Sequence, residues 1–255
     1  MVGFSLALWS AWAGESALEV LDARGRAAVE VFPAAEAGRV VLADVTVLPV
    51  SGPRIEKGHV AFDAGRITAV GEGTAPALDG AVVVSMPGHV VTPGLIDTHS
   101  HLGVYPSPGA HAHEDGNEMV RPTTPGVWAE HSLWPQDPGF ERAIAGGITS
   151  LQILPGSANL IGGRGVVVQV VPPRGGRAMR FPGAPETVKL ACGENPKRVY
   201  GEKGGPATRM GNLRGQRQMF LDALDYQRKW REYDEALEKQ ASAGSATPKK
   251  KKKGE

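Results

Sequence analysis

Short β-rich runs, each closed by a glycine or proline turn, fill residues 39–92 and read as a small β-domain of strands and tight turns. Residues 40–50 (VVLADVTVLPV) are rich in branched side chains that suit a pleated surface. Residues 59–70 split around Asp63-Ala64-Gly65-Arg66, a hairpin turn with glycine where a positive φ is needed. Residues 82–91 repeat the pattern, with Pro87-Gly88 between Val82-Val83-Val84 and Val90-Val91. The whole chain shares this punctuation: it holds 34 glycines and 20 prolines in 255 residues without a three-residue period, which excludes a collagen-like chain and predicts many turns. With 41% hydrophobic and 22% charged residues it can bury a core, so wholesale disorder is excluded.

The formal charge of +1 hides an asymmetry, because five consecutive lysines, Lys249 to Lys253, sit at the end. The chain before them carries 23 basic and 26 acidic residues. That mildly acidic body gives no reason to expect nucleic acid as a partner. The single cysteine, Cys192, forbids an intramolecular disulfide and leaves the redox compartment open. Residues 2–13 (VGFSLALWSAWA) form an apolar run of signal-peptide length, and Ala11-Trp12-Ala13 before Gly14 has the small-x-small form of a cleavage site, although no Lys or Arg precedes it. The expectation is a signal peptide over 1–13 and export to the periplasm or beyond. No run reaches the ~20 apolar residues of a spanning helix, so no membrane span is expected.

Chemistry first shows in residues 91–103 (VTPGLIDTHSHLG). Residues two apart on a strand share a face, so His99 and His101 can present imidazole nitrogens to one point, the geometry of a divalent-metal site. The surroundings support a barrel rhythm. Asp137-Pro138 offers an N-cap and an N1 proline for a helix over 139–145, Gly146-Gly147 ends it, and residues 148–154 (ITSLQIL) form a buried strand. Residues 166–171 (VVVQVV) and 187–191 (TVKLA) are further strands, each opening into a Gly- or Pro-containing loop. Residues 219–240 make a long helix, with Phe220, Leu224, Trp230 and Leu237 near helical spacing and Arg228, Lys229, Glu232, Asp234, Glu235 and Lys239 as a solvated face.

Residues 93–103 (PGLIDTHSHLG), preceded by a β-domain, resemble the first barrel strand of the metal-dependent amidohydrolase superfamily. Residues 154–165 (LPGSANLIGGRG) and 189–200 (KLACGENPKRVY) resemble segments of its imidazolonepropionase-like, secreted bacterial members, so the likeness covers roughly residues 39–235. The resemblance implies an α/β fold, a TIM-like (β/α) barrel with a flanking β-sandwich. It also implies one or two metal ions, zinc first, at the C-terminal ends of the barrel strands, and hydrolysis of amide, lactam or related C–N bonds in a small-molecule substrate. A complete barrel takes about 250 residues, whereas 163 follow Thr92, enough for about four βα units. The expected organisation is a signal peptide (1–13), a small β-domain (14–92), the first half of the barrel (93–240) and a disordered lysine-rich tail (241–255).

All seven histidines, His59, His89, His99, His101, His111, His113 and His131, lie in the first 131 residues. The superfamily takes further histidines from the fifth and sixth strands and an essential aspartate, the general base, from the eighth, and these have no counterpart here. The sequence therefore reads as the N-terminal portion of an amidohydrolase. Within it, Glu194 and Lys189 are the candidates for a third metal ligand: a carboxylate binds zinc directly, while a lysine must first be carbamylated, so Glu194 is preferred. The alternative is that Glu194 caps a turn and Lys189 makes an ion pair. His111 and His113 read as substrate-side or solvent residues, His131 as structural, and the glycine-rich loop with Asn159 and Arg164 as either a substrate contact or a packing feature. Two other readings remain: a half-barrel subunit, or inactive fragment, whose exposed edges need a homo-oligomer or a complementary C-terminal chain, and a protein that binds anionic surfaces through its lysine tail.

Overall fold

The computed structural model describes residues 38–171 and 175–244. The expected signal peptide and the lysine run lie outside these residues. Strands β2 (Ile55–Asp63) and β3 (Arg66–Glu72) form the expected hairpin, with Asp63 opposite Arg66. Its two turn residues, Ala64 and Gly65, have φ of 48° and 76°, the positive pair that matches the twist of the flanking strands. Strand β1 (Val40–Val47) pairs antiparallel with β2. The valine runs β4 (Val82–Ser85) and β5 (Val90–Val91) do not pair with each other; both run parallel to β1, Val82 opposite Val40 and Val90 opposite Thr46. The cause lies in β1, which breaks register at Asp44 (φ 59°). The Pro87-Gly88 turn, closed by His89 N–H to Met86 O at 3.2 Å, carries the chain past that break so that it resumes pairing on the same edge. Val40, Val45, Val47, Val60, Phe62 and Val84 form the buried face of this five-stranded sheet, each side chain worth roughly 1.5–3 kcal/mol when fully buried.

Strand β6 (Leu95–Ser100), helix α1 (Pro138–Ala145) and strand β7 (Ile148–Ile153) make a β-α-β unit with β6 and β7 parallel. The expected cap is present: Asp137 precedes Pro138, and Gly146 and Gly147 follow the helix. The next strand departs from the barrel rhythm. A barrel strand would lie parallel to its neighbour, whereas β9 (Val166–Gln169) runs antiparallel to β7, with Val168 opposite Leu151. Between β7 and β9 lie residues 154–165, which contain strand β8 (Ile161–Arg164) and no crossover helix, and the chain re-enters the sheet antiparallel. Leu151, Ile153, Val166, Val168, Met179, Phe140 and Val104 fill the core under this sheet.

The described residues divide into two compact units. The first comprises residues 38–116, Trp128–Pro155 and Gly165–Thr187, and so contains both sheets above. The second comprises Asn117–Val127, Gly156–Arg164 and residues 188–244. It holds strands β8 (Ile161–Arg164) and β10 (Val188–Leu190), paired antiparallel, with helices α2 (Glu194–Tyr200) and α3 (Arg209–Gly244). The segment expected as another barrel strand, 187–191, is thus a partner of β8. Helix α3 has 36 residues, longer at both ends than the sequence pattern indicates, and Phe220, Leu224, Trp230 and Leu237 are all exposed along it. Among the described residues no helix is long and apolar enough to cross a membrane.

Candidate metal site at the end of β6

Strand β6 lies close to the start of β7 because Gly94 has no side chain: a Cβ there would stand 2.2 Å from Thr149 Oγ1. Leu95 N–H donates to Gly147 O at 2.8 Å, which locks the entry into the strand. His99 is exposed near the strand's end and His101 follows it, half-buried. The two rings meet edge-on with centroids 5.3 Å apart. Asp97 Oδ1 accepts the backbone N–H of His99 at 3.0 Å and orders that turn of chain. His101 Nδ1 lies 2.8 Å from Leu154 O. A carbonyl only accepts, so the assigned neutral tautomer has its proton on Nδ1 and its lone pair on Nε2, the form in which an imidazole ligates a metal. Tyr105 closes the other side of His101, ring centroids 5.7 Å apart.

The loop after His101 is fixed by one buried carboxylate. Asp137 is 1% exposed. It accepts from Gly139 N at 2.8 Å as the cap of α1, and also from Gly103 N at 2.9 Å and Ser107 N at 3.2 Å. Gly103, at φ +77°, must be glycine: a Cβ would also stand 2.5 Å from Leu133 Cδ1. Sequence reasoning identified Asp137 as a cap; its grip on the loop that follows β6 had no sequence signal.

The remaining sequence candidates have other partners or surroundings. His113 stacks on Trp134 (centroids 4.3 Å apart) and His131 on Trp128 (5.9 Å). Lys189 and Glu194 belong to the second unit. Lys189 is buried in β10, and burial pushes its ammonium below the usual lysine range. Glu194 sits exposed in the first turn of α2, 3.6 Å from Arg198 one helical turn on. Among the described residues no three His, Cys, Asp or Glu side chains gather as a metal-holding group.

Asn159, read as a loop residue with a substrate or packing role, is fully buried and structural. Its Nδ2 donates to Glu118 O and Thr124 Oγ1, both at 2.7 Å, and its Oδ1 accepts from Tyr200 Oη at 2.6 Å. Tyr200 Oη is also 3.0 Å from Arg121 O. Its phenol is pushed up by burial and by the charge of Glu118. These partners lie 35 to 79 residues apart in sequence, and no local pattern announces them.

No family model matches the chain. Over 182 residues it is 37% identical to the amidohydrolase tasK of Hapsidospora irregularis, a match covering 64% of this chain and 18% of that protein. Over 107 residues it is 29% identical to the 5-methylthioadenosine/S-adenosylhomocysteine deaminase of Moorella thermoacetica, covering 41% of this chain and 23% of that one. The crystal structure of an amidohydrolase from Thermotoga maritima MSB8 superposes with a TM-score of 0.68 at 35% identity, covering 84% of this chain and 52% of that one. The chain thus spans about half the length of that solved relative and about a fifth of the two curated ones. With a mixed α/β fold that matches a solved amidohydrolase over 84% of this chain, the sequence and structure are similar to those of amidohydrolase-superfamily proteins.

Proposed function

We propose that this chain contributes the first metal-binding strand of a metal-dependent hydrolase acting on non-peptide C–N bonds, amide or cyclic amide, in a small molecule. The observation that carries the reading is the pair His99 and His101 at the end of a strand parallel to its neighbour, with the His101 proton held on Nδ1 by Leu154 O. The finer fold in this reading is part of a TIM-like barrel: β6, α1 and β7 are its first β-α-β unit, and the five-stranded sheet belongs to a flanking β-sandwich.

The donor set suits zinc in kind, two imidazoles. Lys189 and Glu194, the two side chains read from the sequence as candidates for a third ligand, differ in environment. Glu194 is engaged with Arg198 in solvent, whereas the buried Lys189 amine is shifted toward the neutral form that carbamylation requires. Bound zinc would supply a water of lowered pKa and polarise the scissile carbonyl. The chain's own part is to hold the His101 lone pair on Nε2, to keep His99 in place through Asp97, and to fix the following loop through Asp137. The proton on the attacking water needs a carboxylate base, which the family draws from a later strand.

A second reading has its own observation. Among the described residues β6 pairs on one side only, with β7, and Leu95 and Ile96 on it are 57% and 69% exposed. An open apolar strand edge of this kind is covered in a working protein by further strands, here those of a complementary barrel half. The test of the hydrolase reading is an assay of zinc-loaded protein, alone and with the later strands supplied, against a panel of amides, cyclic amides and amino-purines. Turnover lost in His101→Ala supports it; turnover unchanged in that variant contradicts it.

A further inference from the structure

Tyr105 stands beside His101 for reasons that lie on both sides of it in sequence. Its neighbour Val104 is fully buried in the core under the β6–β7 sheet and anchors the backbone there. The N–H of Tyr105 donates to His101 O at 2.9 Å and that of Val104 to the same oxygen at 3.2 Å, so the chain turns back on the histidine directly after it. The phenol ring then needs space, and Gly116 supplies it: a Cβ on that buried glycine would stand 2.3 Å from both Cε2 and Cζ of Tyr105. One anchor in the core and one gap in the loop therefore place a ring that is still 36% exposed. A ring left so exposed adds less to the core than a buried one, yet a buried glycine makes room for it.

The imidazole shows what the ring is for. The bond from Nδ1–H to Leu154 O, 2.8 Å long, fixes one atom of the His101 ring. The torsion that turns an imidazole about its Cβ–Cγ bond is broad and roughly two-fold. A half-turn would exchange Nε2 with Cε1 and leave a carbon facing Leu154 O. Resisting that sweep takes a contact on the body of the ring, and Tyr105 makes one: the two rings meet edge-on at 86°, centroids 5.7 Å apart. His99 meets the same imidazole at 85°. Of these two ring neighbours, Tyr105 is the one whose own place is set by the core and by Gly116.

We propose that Tyr105 is a positioning residue, whose ring holds the His101 imidazole in the orientation in which Nδ1–H meets Leu154 O and Nε2 carries the lone pair that ligates. The inference rests on the reading of His101 as a metal ligand, and the two are tested separately. Nitrogen NMR of the metal-free chain labelled at histidine, with His101 assigned from His101→Ala, tests the positioning. Expected in the native chain, and in Tyr105→Phe, which keeps the ring, is the Nδ1–H tautomer with a slowly exchanging ring proton. Averaged tautomers and fast exchange of that proton are expected in Tyr105→Leu, and again in Gly116→Ala, whose added Cβ displaces the ring without touching either side chain chemically. Zinc titration against a chromophoric chelator tests the ligand reading: affinity should fall about tenfold in Tyr105→Leu and Gly116→Ala and return in Tyr105→Phe. A native His101 ring signal in Tyr105→Leu, in a chain that keeps its circular dichroism, would overturn the proposal. No zinc bound by the native chain, with the NMR differences intact, would support the positioning and overturn the ligand reading.

Discussion

Two buried polar knots hold the two units of this molecule, and they are built differently. In the first unit a single charged group, Asp137, gathers three backbone N–H donors from the loop after β6 and the start of α1. In the second a neutral network, Tyr200 to Asn159 to Thr124, ties a helix to two loops through side chains alone and their carbonyl partners. A charge buried with all its oxygens engaged is costly to disturb, because removing it strands several donors at once. A neutral network loses one hydrogen bond at a time. The loop beside the candidate metal site is therefore the more sharply fixed of the two, as a site that must hold two imidazoles at a set separation requires.

Removing the carboxylate should produce the largest effect. Asp137→Ala is expected to cost about 3–5 kcal/mol in urea unfolding, since three bonds to a charged acceptor and a helix cap are lost together. A cost below about 1 kcal/mol would show that the knot is not the anchor of the loop. Gly103→Ala comes next, at roughly 2–4 kcal/mol, from its positive φ and its collision with Leu133. Tyr200→Phe should cost only about 1–2 kcal/mol, one donor removed from Asn159 and Arg121. If Tyr200→Phe were the more damaging of the two knot variants, the contrast between the units would be reversed.

The smallest expected effect is a pH dependence in the second unit. The folded pKa of Lys189 lies below its unfolded value, so in the interval between them the unfolded chain binds more protons and stability rises with pH. Lys189→Met is expected to remove that alkaline rise, measured as the change in unfolding midpoint across the interval. An unaltered slope in the variant would mean that the dependence arises elsewhere.

The hairpin, the helix cap and the His-x-His strand were legible because each is local: a turn dipeptide, an Asp-Pro pair, a period of two. What escaped was set by pairing over distance. The valine runs β4 and β5 look like a hairpin, yet both join β1, because the break at Asp44 lets one edge accept two short strands in series. Residues 166–171 have the composition of a barrel strand, and composition does not state direction; β9 runs antiparallel. Asn159 stands in a glycine-rich segment that suggests an accessible loop, and its burial depends on Tyr200, 41 residues away. Glu194 and Lys189 carry plausible ligand chemistry by type, and only burial distinguishes the exposed, ion-paired carboxylate from the buried amine.

Whether His99 and His101 hold a metal ion is read from elemental analysis of purified protein. Stoichiometric zinc is expected in the native chain and its loss in the His99→Ala/His101→Ala variant, with the fold retained by circular dichroism. Zinc undiminished in the double variant, or no metal in the native chain after exposure to zinc, would contradict that expectation.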